Sequence, residues 1–196
     1  MFFLISGAAA SGKTTVARRL PVRLQNVACH DADEWRAADA YTRCANLERW
    51  VRLALEAQRG GQDFLLTTHS PLGELLACPS APYLAGIAAC LLDCADTVRL
   101  ERIRARGIDL CWLPNQHTFS WAAWHRLHAY DPQWEQHVID SNGPSTHCYE
   151  RWRHWEQHDP RWQVRVFDTT HLNEDQTLDA VAAWVQSARA MPTSTR

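Results

Sequence analysis

Apolar residues in this chain fall into two alternating patterns, short unbroken runs and longer stretches where they recur every three or four positions. The runs are Phe2 to Ile5, Asn26 to His30, Asp63 to Thr68, Gly86 to Asp93 and Trp162 to Phe167. Such short runs suit strands that are covered on both faces. The clearest helical stretch is Asn46 to Arg59, where Leu47, Trp50, Val51, Ala54 and Leu55 share a face and Gly60-Gly61 stops it. Thr14 to Leu20 reads as a helix ended by Pro21, which cannot continue it. Asp31 to Glu34 can open a helix, and Ser70-Pro71 starts a short one. Asp96 is a cap for the helix TVRLERIRAR, which Gly107 closes. Asn173 and Gln176 cap a last helix whose Leu178, Val181, Ala182 and Val185 face the core, and the tail after Met191 reads as frayed.

Strands alternating with helices predict an α/β fold, an open, mostly parallel five-stranded sheet with helices on both faces. At 196 residues the chain fits one domain with a substantial core. Hydrophobic content of 46% and charged content of 21% are those of a soluble globular protein. A net charge of −2 without long charge runs argues against nucleic-acid or membrane-surface partners. No apolar stretch nears the roughly 20 residues of a bilayer span. Neither does the N-terminus read as a signal peptide. Seven scattered cysteines without a CxxC pair predict reduced thiols in a cytoplasmic protein.

The first run leads into Gly7-Ala8-Ala9-Ala10-Ser11-Gly12-Lys13-Thr14-Thr15, which fits the pattern G-x-x-x-x-G-K-[ST] between a strand and a helix. Glycines let backbone N–H groups converge on phosphate oxygens, Lys13 can bridge terminal phosphates, and the Thr14 hydroxyl can bind Mg2+. Lys13 is the sole lysine among twenty basic side chains, retained where a compact ammonium suits a ring of backbone groups. A nucleoside triphosphate site, with ATP and Mg2+ as cofactors, is the expectation.

In parallel sheets ligands bind beyond the carboxyl ends of the strands. The second strand ends in His30-Asp31-Ala32-Asp33, two carboxylates that can divide metal support and proton transfer. Asp-x-Asp alone also reads as an acidic helix cap, but directly after strand two of such a protein the chemical reading is preferred. The third ends in Thr67-Thr68-His69, the fourth in Asp93 and the last in Asp168-Thr169-Thr170. On the helix after strand four, Arg102 and Arg106 share a face directed at phosphates, whereas Arg99 and Arg104 read as a solvated basic face beside Glu101.

These motifs resemble the small P-loop kinases of the shikimate kinase, gluconate kinase, adenylate kinase and chloramphenicol phosphotransferase group. The resemblance spans most of the chain but rests on GAAASGKTT, HDADE, ERIRARG and FDTT. It implies Asp31 as the metal-side acid, Asp33 as the substrate-side acid and base, Arg102 and Arg106 as phosphate contacts, and Asp168 to Thr170 as neighbours of the purine. The sequence departs from that group at TTHS, which has neither a Walker B aspartate nor the glycines expected there, so metal support falls to Thr14 and Asp31.

Seven of the ten tryptophans and seven of the ten histidines fall between Ile108 and Gln163. Two or three short helices, broken at Pro132 and Asn142-Gly143-Pro144, are expected over about 108–160, as a lid and part of an acceptor site. Trp121, Trp124, His125 and His128 form a helical stripe that either packs on a core or walls an acceptor. His125, His128, His154 and His158 with Cys148 match no zinc signature and read as packing or surface groups. The leading expectation is an ATP-dependent kinase acting on a hydroxyl of a small molecule such as a nucleoside, sugar or antibiotic. The alternatives are a regulatory nucleotide-binding module and a polynucleotide 5′-kinase, the latter disfavoured by the acidic balance.

Overall fold

Five strands form one sheet in the order β2-β3-β1-β4-β5, every pair parallel: β1 Phe2–Ser6, β2 Val27–Asp31, β3 Asp63–Thr68, β4 Ile87–Asp93 and β5 Val164–Asp168. The computed structural model describes residues 1–35, 40–106, 116–141 and 143–190. The expectations placed on Gly107, on 108–115, on Asn142 and on the tail after Met191 lie outside the described residues.

Alternation along β1 divides the core. Phe2 and Leu4 point to one face, with Phe64, Leu66 and Ala89, under α2 (Ala40–Arg59) and α3 (Leu72–Ala77). Phe3 and Ile5 point to the other, with Leu65, Cys90 and Leu92, under α1 (Lys13–Arg19) and α7 (Glu174–Ala190). A strand so placed cannot carry a polar side chain on either side, and β1 carries none before Ser6.

The aromatic segment packs into the first of these cores. It contains α5 (Gln116–Tyr130), the short α6 (His137–Asp140) and a 3-10 turn at Tyr149–Arg151. Trp124, Trp152 and Trp162 join Phe2 and Leu4 in one buried cluster. Trp152 donates its indole N–H to the Gly73 carbonyl (2.8 Å), and Trp162 donates to Ala129 (3.2 Å), so both polar tips are satisfied.

Element boundaries moved in instructive ways. α2 begins six residues before the expected Asn46. β2 ends on Asp31, one residue later than expected, which makes that acid both the strand's last residue and the cap of a 3-10 turn at Ala32–Glu34. Asp96 is the first residue of α4 (Asp96–Ala105) and not its cap, because Ala95 holds that position with its N–H donated to Thr170 Oγ1 (2.8 Å). The α7 box is present: Gln176 N–H meets Asn173 Oδ1 (2.8 Å), and Asn173 N–H meets Gln176 Oε1 (2.9 Å). Among the described residues no helix is long and apolar enough to cross a membrane.

Candidate active site

The loop after β1 turns where only its glycines fit. A β-carbon on Gly7 would stand 2.5 Å from the Leu92 carbonyl oxygen and 2.6 Å from Ser11 Oγ. Gly12 opens α1 in the left-handed region at φ 107°. Within this turn Lys13 folds back so that Nζ donates to the Ala8 carbonyl at 2.8 Å. Burial pushes its pKa from 10.5 down to about 8, opposed by the negative charges of Asp33 and Asp31 and assisted by Arg99 and Arg106. The charges of the acids at the end of β2 and of the arginines of α4 are thus felt at the same ammonium. Thr14 and Thr15 are half-buried on the first turn of α1.

Two arginines of α4 brace the loop. Arg99, read from the sequence as solvated, is fully buried: it donates to the Ala9 carbonyl, to Asp93 Oδ1 (2.7 Å) and to the Cys94 carbonyl (3.2 Å). Arg102 reaches Ala10 O (3.4 Å), Thr169 Oγ1 (3.0 Å) and Thr169 O (2.6 Å). Thr169 is itself buried, with its N–H and hydroxyl on the Asp93 carbonyl at 2.7 and 2.9 Å. The ends of β4 and β5 and the loop are thus one hydrogen-bonded unit. Arg104 and Arg106 are exposed.

At the other end of the site, Asp31 Oδ1 accepts the Asp33 N–H (3.1 Å), while the Asp31 N–H meets Glu34 Oε1 (2.9 Å). The acidic-cap reading and the proximity to Lys13 hold together, because capping uses one oxygen of Asp31 and leaves Asp33 exposed. Asp168 accepts from both the N–H (2.9 Å) and the hydroxyl of Thr170, which hold its carboxyl below the usual range.

A second group of polar residues lies nearby, in which Arg43, Glu74 and Arg126 were missed in the sequence, whereas His69 stood at a strand end and His125 in the Trp/His stripe. Arg43 of α2 forms a two-pronged pair with the fully buried carboxylate of Glu74, one prong at 3.1 Å. Arg126 of α5 reaches Asp93 Oδ2 (2.5 Å), tying the aromatic segment to the end of β4. His69, one residue beyond β3, is held well below its ordinary pKa first by the charge of Lys13, then by burial and Arg43. His125 is pushed the same way by burial, then by His128, Lys13, His69 and Arg43. The available signal for His69 was its place directly after the third apolar run, and the structure sets it beyond Thr68, opposite Ser6, with a hydrogen bond to the Gly7 backbone.

No protein-family model matches the chain, and no curated protein matches it in sequence. Solved structures do. The unliganded structure of a sugar kinase from Janibacter sp. HTCC2649 aligns with a TM-score of 0.61 at 15% identity, covering 100% of this chain and 98% of that one. An uncharacterized protein from Eubacterium ventriosum ATCC 27560 aligns with a TM-score of 0.51 at 11% identity, covering 95% and 99% of the two chains. The likeness is one of fold.

Against that fold, the described residues contain no group of three or more His, Cys, Asp or Glu able to hold a metal on their own. Cys148 is exposed, while His125 and His128 are buried among Trp121, Trp124, Trp152 and Trp162.

Proposed function

We propose that this protein is a phosphotransferase that moves the γ-phosphate of Mg-ATP to a hydroxyl of a small molecule. The observation that carries the reading is Lys13, its ammonium turned onto the Ala8 carbonyl inside a Gly7–Thr14 loop and within the electrostatic reach of Asp31 and Asp33. An ammonium held on a loop carbonyl is a placeholder for phosphate oxygens, since the stronger acceptors of a triphosphate displace the weaker one. The donor set supports the metal as well: the Thr14 hydroxyl and the Asp31 carboxylate are hard oxygen ligands, and Mg2+ needs few protein ligands when phosphates and water complete its shell. Mg2+ there would offset charge on the phosphates.

The acceptor oxygen attacks the γ-phosphorus, the bond from that phosphorus to the β–γ bridging oxygen breaks, and the electron pair leaves on ADP. Asp33, exposed at the mouth of the site, takes the hydroxyl proton. Lys13 neutralises charge on the transferring group, and Arg102 holds the loop's shape from Ala10. Arg106, whose charge reaches Lys13, adds positive potential from the open side. The Asp168-Thr169-Thr170 turn lies against the same loop through Thr169 and Ser11, where a purine would neighbour it. The name of the Janibacter protein, a sugar kinase, agrees with this reaction class.

An ADP-release assay over nucleosides, sugars and aminoglycoside-like compounds tests the proposal. Acceptor-dependent ADP release that disappears in Lys13→Ala supports it. Tight nucleotide binding without release on any acceptor supports a regulatory module instead.

A further inference from the structure

His125 is 2% exposed, and neither of its ring nitrogens has a hydrogen-bond partner among the described residues. An imidazole shut away from water without partners is costly, because both nitrogens lose hydration and gain nothing. It sits on α5 beside Trp124, ring centroids 6.1 Å apart, where the charges of Lys13, His69 and Arg43 are felt. The indole of Trp121 stands beside it, ring centroids 5.6 Å apart, with the Arg43 guanidinium on that indole at 5.1 Å.

The charges around His125 tell what its missing partner is. Of the two cations felt there, Lys13 belongs to the phosphate end, and Arg43 is neutralised by the two-pronged contact with buried Glu74. A carboxylate or phosphate on the acceptor would need a guanidinium with its fork unspent, and the one beside Trp121, that of Arg43, spends its fork on Glu74. A neutral imidazole has one N–H donor and one lone-pair acceptor. That pairing matches a hydroxyl, which also donates and accepts. The aromatic faces beside it suit the C–H faces of a sugar ring or a planar base.

We propose that His125 receives a hydroxyl group of the acceptor, and that the acceptor is an uncharged polyhydroxyl compound of the sugar, polyol or nucleoside class, not an acid or a phosphate ester. The inference rests on the phosphotransferase reading and narrows it. His125 is a positioning residue here. It holds the substrate while the proton of the reacting hydroxyl goes to Asp33.

The test compares steady-state kinetics of the wild type, His125→Phe and His125→Gln on neutral sugars, polyols and nucleosides and on sugar acids and nucleoside monophosphates. Binding of a fluorescent ATP analogue is measured in parallel. Wild-type turnover on a neutral acceptor is expected. His125→Phe should raise that acceptor's KM at least about tenfold, the scale of a lost hydrogen bond or two, while His125→Gln, which keeps a donor and an acceptor, stays within about threefold. The analogue should bind all three proteins alike, and the melting temperature of His125→Phe should equal or exceed that of wild type, since an unpaired polar group has been removed. Turnover on anionic acceptors but not on neutral ones, or an unchanged KM in His125→Phe, overturns the inference. Failure of the wild type to bind the analogue, or binding without turnover on any acceptor, removes the phosphotransferase reading beneath it, so the two failures are told apart.

Discussion

Asp93 receives Arg99 at 2.7 Å in a pair sealed from solvent, and the same guanidinium reaches on to the Ala9 carbonyl of the loop around Lys13. A strand end, a helix and the loop thereby share one charge. Asp93 accepts Arg126 as well, so the carboxylate also anchors α5.

Asp93→Asn would take from the buried Arg99 guanidinium its nearer counter-charge and leave it only Asp96, at 3.6 Å. The expected loss is about 3–5 kcal/mol, the usual result of removing one partner of a buried pair. A urea unfolding midpoint measures it, and a shift of under about 1 kcal/mol would contradict the assigned role.

Lys13→Ala and Asp33→Asn separate activity from stability. Lys13→Ala should lower turnover by about 10²-fold or more, the scale seen when one transition-state donor is lost. Asp33→Asn should lower kcat by about 10²–10⁴-fold, as loss of a general base does. Asp33 is exposed, so its variant should melt with the wild type. Near-normal ADP release by either variant would end the assignment.

Gly7→Ala and Gly12→Ala should each cost about 1–3 kcal/mol, for different reasons. At Gly7 the new methyl meets the Leu92 carbonyl; at Gly12 there is open space, but φ is 107°. Gly12→Asn should recover part of the Gly12→Ala loss, because asparagine tolerates the left-handed region. Chemical denaturation of the three variants measures the difference, and equal losses in Gly12→Asn and Gly12→Ala would contradict the backbone explanation.

Acid sensitivity should come from histidine. Burial lowers His128 from the ordinary 6.5 to about 4, and His125 moves the same way. Between those pH values the unfolded chain binds a proton that the folded chain refuses, so stability is complete above about pH 6.5 and falls toward pH 4. His128 alone gives a slope of about 1.4 kcal/mol per pH unit inside that window. The carboxyls of Asp63 and Asp168 are held below 3.8 and act only in stronger acid. Unfolding midpoints at pH 7.5 and 5 should diverge in the wild type and diverge less in His128→Phe, where His125, His69 and His147 still refuse protons; an undiminished gap would refute the role of His128.

The apolar runs were enough to read the strands, most plainly β1 and β4, whose burial on both faces favours unbroken apolar residues, whereas the edge strands β2 and β5 are only partly covered and carry polar ones. The Gly7–Thr15 loop was equally legible, since its pattern is local. Arg99 was not, because a helical wheel shows which residues share a face but not whether that face meets water. The Arg43–Glu74 pair joins residues 31 apart in sequence, and no spacing rule reaches across that interval. The tryptophans were legible as a stripe, yet their place in the sheet's own core depends on which surface the segment folds onto.

Lys13 is the only side-chain amine in the chain, and it lies at the centre of the loop. A reagent that captures side-chain amines is therefore a one-site reporter here. Its yield at Lys13 gauges whether the loop is covered, and protection by a bound nucleotide could be followed without introducing a label or changing a residue.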